Sequence, residues 1–360
     1  MKHRNSEIDF LRAYAVSAVL LLHVIGITYP HFMHHDWPGI VYGFEAGVDV
    51  FFVISGFVIS DAYRRLAITG AAGADLYRDF MVRRLARLWP AAAFWLSYCL
   101  AASFFFKQER FFPPPFEVFQ KVLAGLLYVF NFAEHGKASV LGYFWSLSVE
   151  WQFYLVLPAV LLFKYRVRIA LLIMAFAILT LWHPGGSDWW MFRFDGILIG
   201  ILLYELREKN LLQKFLPTRM SATTSAAITL LLLAEIVIVG QFMKGAYLGL
   251  SFQCLCAGAL VALATQENGS ISAFGLNAVV RWVGLRSYSI YLCHIPVTLT
   301  ILSCWDRLAL PGGWIRVSLT SVAVTALVSE LSYRALELGC SRRLHESLSE
   351  CLHPHSTITN

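Results

Sequence analysis

The stretch IDFLRAYAVSAVLLLHVIGITY, residues 8–29, decides the fold class of this chain. It is long and apolar enough to form a helix across a bilayer, because about 20 apolar residues span a hydrocarbon core about 30 Å thick. It nevertheless contains Asp9, Arg12 and His23. Ionisable side chains inside a membrane span are costly, so they are candidates for function by default.

Arg12 and His23 are expected to lie on one face of this helix. Eleven positions at about 100° each amount to three turns plus about 20°, and at about 1.5 Å per residue His23 lies about 16 Å deeper, near the middle of the bilayer. Asp9 precedes Arg12 by three positions and can pair with it. An alternative is that Arg12 reaches the lipid headgroups while His23 bonds a neighbouring helix, but a histidine at mid-depth on this face favours a function.

The composition is that of an all-α polytopic membrane protein. Hydrophobic residues make up 58% of the 360, charged residues only 14%, and the mean hydropathy is +0.61. Soluble domains carry about 25% charged residues. We expect one integral membrane domain over residues 1–340 and a short cytoplasmic tail over 341–360, which lacks periodicity and is expected to be disordered.

Apolar runs predict about ten transmembrane helices, near residues 8–29, 43–63, 88–106, 145–163, 167–183, 189–206, 221–240, 246–265, 286–304 and 315–336. Most of the 29 lysines and arginines then fall on the side of the two termini, which the positive-inside rule makes cytoplasmic. The net charge of +6 is therefore an orientation signal, and we expect a lipid bilayer and no nucleic acid as partner. The short apolar run 118–132 is predicted to be re-entrant, because a full crossing would place the basic stretch 164–168 outside.

Two motifs put carboxylates into or next to spans. In GVDVFFVISGF, residues 47–57, the glycines and Ser55 are typical of helix packing, whereas Asp49 is a candidate to hold a histidine or receive an acceptor hydroxyl. In FWSLSVEWQFY, residues 144–154, the aromatic residues are typical of a membrane-interface belt. Glu150 within it is a candidate acid, base or sugar-hydroxyl ligand.

A basic motif opens the third span. Arg83, Arg84 and Arg87 lie within one helical turn or so and can donate to phosphate oxygens, as a phosphorylated cytoplasmic donor would require. A topology signal with contacts to anionic lipids explains the pattern equally well.

Other polar groups leave their roles open. Arg193 with Asp195 suits an internal ion pair as well as a site, and His294 suits a bond between helices as well as catalysis. The seven cysteines stand singly without metal-ligand spacing, so we assign them no role and predict no metal. The sequence lacks a Gly-rich phosphate loop, a Gly-x-Ser-x-Gly elbow and a His-Glu-x-x-His motif, which leaves ATP-driven transport and serine or zinc hydrolysis unsupported.

Taken in order, these motifs resemble the acyltransferase-3 family of integral membrane acyltransferases, which typically O-acetylate bacterial surface sugars. The resemblance covers residues 8–337 and rests on Arg12 with ten residues before His23, the 47–57 motif, Arg84-Leu-Ala-Arg87, Trp145-Ser-Leu-Ser-Val-Glu150 and the run 288–296.

The resemblance implies that an acetyl or other short acyl group passes from coenzyme A on the cytoplasmic side to an acceptor at or beyond the outer face of the bacterial inner membrane. It also implies that Arg12 and His23 are the essential pair and that Arg84 and Arg87 lie on the donor side. The acceptor is expected to be a hydroxyl of a lipid-linked or surface saccharide.

The sequence thus predicts catalytic roles for His23, Arg12, Asp49 and Glu150, and acetyl-CoA binding by Arg83, Arg84 and Arg87. His23 would be a general base or a transient acyl carrier. The alternative is a proton-coupled saccharide transporter or flippase without acyl transfer, in which Asp49, Glu150 and the two histidines form a proton relay. Inverted repeats, which would favour a transporter, are not visible.

Overall fold

The computed structural model describes residues 5–33, 39–70, 72–106, 112–133, 140–182, 191–216, 220–242, 248–267, 277–340 and 342–344, and the regular structure of these residues is helical. The α-helices are α1 Ser6–Met33, α2 Gly47–Ile68, α3 Gly73–Phe106, α4 Pro115–Leu126, α5 Phe130–Ala133, α6 Phe144–Leu162, α7 Tyr165–Trp182, α8 Asp195–Glu208, α9 Leu212–Phe215, α10 Ala222–Phe242, α11 Gly249–Ala264, α12 Asn277–Leu285, α13 Ser287–Arg307 and α14 Trp314–Ser332. A 3₁₀ segment, Gly39–Ala46, precedes α2, and a π-helical segment, Tyr333–Cys340, follows α14.

The predicted all-helical membrane architecture is confirmed. Within the described ranges, eight helices are long and apolar enough to cross a bilayer. The predicted spans 189–206 and 246–265 correspond to α8 and α11, which have 14 and 16 residues and so extend only about 21 Å and 24 Å. Ten crossings therefore stay a prediction.

Two other predictions concern segment lengths. The predicted span 88–106 is the apolar part of a longer helix, since α3 begins at Gly73 and continues through Pro90. Hydropathy detected only its apolar part. The predicted re-entrant run, 118–132, overlaps α4, whose 12 residues extend about 18 Å, too little for a crossing. The tail predicted to be disordered lies outside the described residues, except for 342–344.

The chain forms two compact units, the first of which comprises Met1–Asp61 and Ala159–Ser287. In it α1 packs against α12, α11 and the 3₁₀ segment, while α8 packs against α7 and α11. Helices α2 and α8 touch backbone to backbone: a Cβ on Gly56 would collide with the carbonyl of Ile197, and one on Gly200 with that of Val53. Only glycine permits this approach, which brings the N-terminal halves of α2 and α8 together.

The second unit comprises Ala62–Pro158 and Tyr288–Asn360. Helix α3 packs against α4 and the π-helical segment. Polar side chains join its helices, because groups buried away from water need partners. The bonds join Trp95 Nε1 to Ser332 Oγ (3.2 Å), the hydroxyls of Tyr98 and Thr300 (2.7 Å), and the Tyr288 hydroxyl to the Leu88 carbonyl (2.7 Å).

Candidate functional site

The predicted contact between Asp9 and Arg12 on the first helix is confirmed. The Arg12 guanidinium donates to the Asp9 carboxylate at 3.2 Å, and Asp9 is buried. The start of α1 is held by Asn5, whose Oδ1 accepts from the backbone N–H groups of Glu7 and Ile8 and whose Nδ2 donates to the Ala264 carbonyl. This satisfies N–H groups that a helix start leaves without partners and ties the start of α1 to the end of α11.

His23 lies on the same unbroken helix, eleven residues beyond Arg12, and is half-buried. Its ring is within hydrogen-bonding reach of the Val19 backbone, and Glu45 is close enough to interact with it electrostatically. Sequence reasoning missed Glu45. The sequence alone does not show this contact, because it depends on packing: Glu45 lies two residues before Gly47, and a Cβ on Gly47 would collide with the Ala15 carbonyl of α1. The segment that carries Glu45 therefore lies against the helix that carries His23.

Asp49 belongs to a buried cluster that joins two separately predicted features. The Arg193 guanidinium donates to the Asp49 carboxylate, and both side chains are buried, as is Asp195. Arg193 also interacts electrostatically with Asp195 and Glu45. The internal ion pair of Arg193 is therefore with Asp49, whereas Asp195, the predicted partner, interacts with the guanidinium electrostatically.

Cys254, to which the sequence assigned no role, belongs to this cluster. Its thiol lies 3.4 Å from Asp195 Oδ2 and 3.7 Å from Asp49 Oδ1, and it is fully buried. Asp195 Oδ1 has no hydrogen-bond partner among the described residues. A single cysteine carries no sequence signal for such a position, because the contact depends on how α11 packs against α8.

Glu150 lies in the second unit together with one of the predicted donor-side arginines. The Tyr154 hydroxyl, one turn along α6, donates to the Glu150 carboxylate. The Arg84 guanidinium lies 5.8 Å from the centre of the Tyr154 ring and 5.5 Å from that of Phe80, within the range of cation–π attraction. Arg84 also interacts electrostatically with Glu150.

The three predicted donor-side arginines are therefore not equivalent. Arg84 is half-buried against α6, whereas Arg83 and Arg87 are exposed. Arg83 and Arg87 are four positions apart and so share one face of α3, while Arg84 points about 100° away from Arg83.

The segment between α4 and α6 fixes the start of the Glu150 helix. Gln152 donates to the Tyr128 carbonyl (2.9 Å) and to Asn131 Oδ1 (2.7 Å), and Ser148 Oγ accepts from the Phe130 N–H (3.1 Å). Tyr128 has a backbone φ of 53°, which residues other than glycine rarely adopt. Its ring stacks on Trp151. Burial raises the pKa of the Tyr128 phenol, so it stays protonated.

His294 contacts other residues of the second unit. Its Nδ1 lies 2.6 Å from the Tyr291 carbonyl, and its ring contacts those of Tyr143 and Tyr291. The Tyr291 hydroxyl in turn lies 2.5 Å from Ser146 Oγ, in the Glu150 motif. These contacts are those expected of a histidine that fixes helix packing. No group of three or more potential metal-binding side chains occurs among the residues for which positions are described.

Comparison with known proteins gives a consistent result. A family model described as an acyltransferase domain, acyltransferase-3, matches residues 5–331. YrhL of Bacillus subtilis, named as a candidate peptidoglycan O-acetyltransferase, is 29% identical over 92% of this chain and 54% of its own length. The peptidoglycan O-acetyltransferase OatA of Listeria monocytogenes is also 29% identical, over 92% of this chain and 55% of its own length.

The O-acetyltransferase OatA of Staphylococcus aureus is 26% identical over 92% of this chain and 56% of its own length. The chain thus spans about half the length of these relatives. No solved structure matches it.

Proposed function

This chain belongs to the acyltransferase-3 family, and on that premise we propose that it is a membrane O-acetyltransferase that uses cytoplasmic acetyl-CoA as donor. The acceptor is a hydroxyl of a lipid-linked or surface saccharide. Two of the relatives carry peptidoglycan in their names, so peptidoglycan glycan is the first acceptor to test.

The proposed topology has ten crossings, both termini in the cytoplasm, and one catalytic domain over residues 1–340. The loop charges support this orientation. It puts Arg12 near the side on which acetyl-CoA is available and His23 about 16 Å deeper along α1.

His23 is the proposed general base, and its place on α1 is the observation that carries the proposal. The imidazole accepts the proton of the acceptor hydroxyl while the hydroxyl oxygen forms a bond to the acetyl carbonyl carbon. The carbon–sulfur bond of the thioester breaks, and the leaving coenzyme A thiolate takes up the proton that the His23 imidazolium gives back. Glu45, within electrostatic range, would stabilise the imidazolium formed in this step.

Arg12 is proposed to bind the donor rather than to orient His23. A separation of about 16 Å along the helix is too large for direct contact between the two side chains. A donor whose thioester and phosphates are joined by a long flexible arm can reach both. The Asp9 carboxylate holds one side of the guanidinium at 3.2 Å, and the guanidinium carries further N–H donors.

The second unit supplies Arg83, Arg84 and Arg87 as further proposed donor ligands and Glu150 as an acceptor ligand. The hydrogen bond from Tyr154 supports a defined orientation of the Glu150 carboxylate. Asp49 is proposed to act on the acceptor side as part of the fixed cluster with Arg193.

The test uses purified protein in proteoliposomes with acetyl-CoA and soluble peptidoglycan fragments. We expect His23→Ala to lower acetyl transfer at least about 100-fold, the usual contribution of a general base. The readouts are the release of coenzyme A thiol and the mass of the fragments. Retention of full activity by His23→Ala would exclude the proposed role.

The matched control is His31→Ala, which removes a histidine from the last turn of the same helix. We expect it to keep its activity. A wild-type protein that moves glycan across the vesicle membrane without releasing coenzyme A would instead be a transporter.

A further inference from the structure

An apolar groove lies between the second half of α3 and the second half of α13, within the second unit. Its volume is about 540 Å³. Its walls include Ala101, Phe105, Phe106, Cys304 and Leu308, and Arg307 lines it as well. The mechanism proposed above uses none of these residues.

Two hydroxyl-bearing side chains in the groove lining, Tyr98 and Thr300, bond each other. The hydroxyls of Tyr98 and Thr300 are 2.7 Å apart, and the Thr300 hydroxyl also donates to the Pro296 carbonyl at 2.8 Å. Hydroxyls that are paired in this way offer little to a polar ligand. The groove therefore favours a hydrocarbon chain over a sugar.

Arg307 is fixed beside these apolar walls. Its Nη2 donates to the carbonyls of Phe105 and Phe106, at 2.7 Å and 3.1 Å, and its guanidinium lies 4.9 Å from the centre of the Phe106 ring. The two carbonyls belong to the last residues of α3, which lack helical partners. A guanidinium has five N–H donors, so Nε and Nη1 stay available to a ligand, and the side chain is exposed.

The first unit has a comparable apolar groove that lacks an arginine among its described lining residues. That groove has a volume of about 220 Å³ and is lined by apolar residues of α7, α8 and α11, among them Leu172, Phe176, Leu255 and Ala259. Its lining contains no charged side chain among the described residues. Of these two grooves, the one in the second unit combines apolar walls with a cation.

We propose that the groove in the second unit binds one anionic phospholipid of the surrounding bilayer. An acyl chain lies along the apolar walls, and the phosphate accepts hydrogen bonds from Nε and Nη1 of Arg307. Planar guanidinium groups suit phosphate oxygens, because their N–H donors match the geometry of phosphate. A soluble phosphate would leave the walls unused, and a zwitterionic or neutral lipid would gain less from the arginine. The proposal does not depend on the acetyltransferase function.

The test compares the protein in nanodiscs of phosphatidylcholine with the protein in nanodiscs that also contain phosphatidylglycerol. We expect phosphatidylglycerol to raise the thermal unfolding temperature, and native mass spectrometry to detect one retained phosphatidylglycerol. Arg307→Gln should abolish this lipid-dependent rise and weaken retention at least about tenfold. Arg307→Lys, which keeps the charge, should retain part of the effect.

The matched control is Arg316→Gln. Arg316 is also exposed, lies in the first turn of α14, and donates to the Pro311 carbonyl, but it does not line the groove. We expect this variant to keep the response to phosphatidylglycerol. Equal loss in Arg316→Gln would mean a general surface-charge effect and would overturn the proposal.

Two native cysteines give a second readout. Cys304 lines the groove, Cys340 lies in the π-helical segment, and both are free and exposed. A membrane-permeant maleimide should modify Cys304 more slowly when phosphatidylglycerol is present and modify Cys340 at an unchanged rate.

Two results would contradict lipid binding. If Arg307→Gln lowers the unfolding temperature equally in both lipids, Arg307 only caps α3. If a polyprenyl phosphate is retained and phosphatidylglycerol is not, the groove serves a different lipid, and the proposal is wrong.

Discussion

The two units hold their buried or half-buried carboxylates in different ways. In the described part of the first unit, guanidinium groups donate to such carboxylates, in the pairs Arg12–Asp9, Arg193–Asp49 and Arg168–Glu205. In the described part of the second unit, hydroxyl groups donate to Glu150 and Glu337, from Tyr154 and Ser289. The half-buried Glu330 of this unit accepts from a guanidinium, but from that of Arg334, whose side chain is 73% exposed.

The difference separates two uses of a carboxylate inside a membrane protein. A guanidinium compensates the charge of its partner and fixes it, and its removal strands an uncompensated charge in a medium of low dielectric constant. A hydroxyl orients the carboxylate without neutralising it, and the same hydroxyl can turn to another partner. We infer that the Arg193–Asp49 pair mainly fixes helices, whereas Glu150 can exchange the hydrogen bond from Tyr154 for one from a substrate.

The largest expected effect comes from Arg193→Met in the first unit. It leaves Asp49 and Asp195 buried without their cation, and breaking a buried pair in this way costs about 3–5 kcal/mol. We expect little monodisperse protein on size-exclusion chromatography and a strongly lowered thermal unfolding temperature.

The double variant Asp49→Asn with Arg193→Met should recover part of this stability, because it removes one of the stranded charges. Equal loss in the single and the double variant would mean that the side-chain volume of Arg193 matters and its charge does not. That outcome would break the distinction drawn between the two units.

The second prediction concerns activity and uses the second unit. Glu150→Gln keeps the shape of the side chain but removes its charge, and we expect acetyl transfer to fall at least about 100-fold while the protein stays folded. Tyr154→Phe removes only the hydroxyl donor and should lower transfer about tenfold, since the carboxylate loses its orientation but not its charge.

The measurement is the rate of coenzyme A release, with the unfolding temperature as the check on folding. A Glu150→Gln protein that unfolds as readily as Arg193→Met would show that Glu150 fixes the structure, and the proposed contrast would be wrong.

Local patterns predicted the parts of the site that depend on one helix. The Asp9–Arg12 pair follows from a spacing of three, and the Tyr154–Glu150 bond could have been found from a spacing of four. The same helical periodicity predicts that His23 and Arg12 share a face. These relations need only the geometry of an α-helix.

Contacts between distant segments could not be predicted in this way. The bond between Arg193 and Asp49 joins residues 144 positions apart, and the position of Cys254 beside them depends on the packing of α11 on α8. Hydropathy also reports only the apolar part of a helix, which is why the polar first half of α3 was not included in the predicted span.

The smallest expected effect comes from a guanidinium–carboxylate pair that is exposed. Arg334 donates to Glu330 at 2.5 Å, four positions along the chain, and the Arg334 side chain is 73% exposed. Pairs of this kind contribute about 0.3–0.5 kcal/mol, because water and salt screen them and both side chains lose mobility. Arg334→Gln should therefore leave the unfolding temperature within about 1 °C of the wild type, a shift that 300 mM salt should reduce further.

Arg193→Met and Arg334→Gln delete the same chemical group, so a similar loss in both would mean that burial does not set the cost of a broken pair in this protein. The ranking of the two variants thus tests the premise on which the comparison of the units depends.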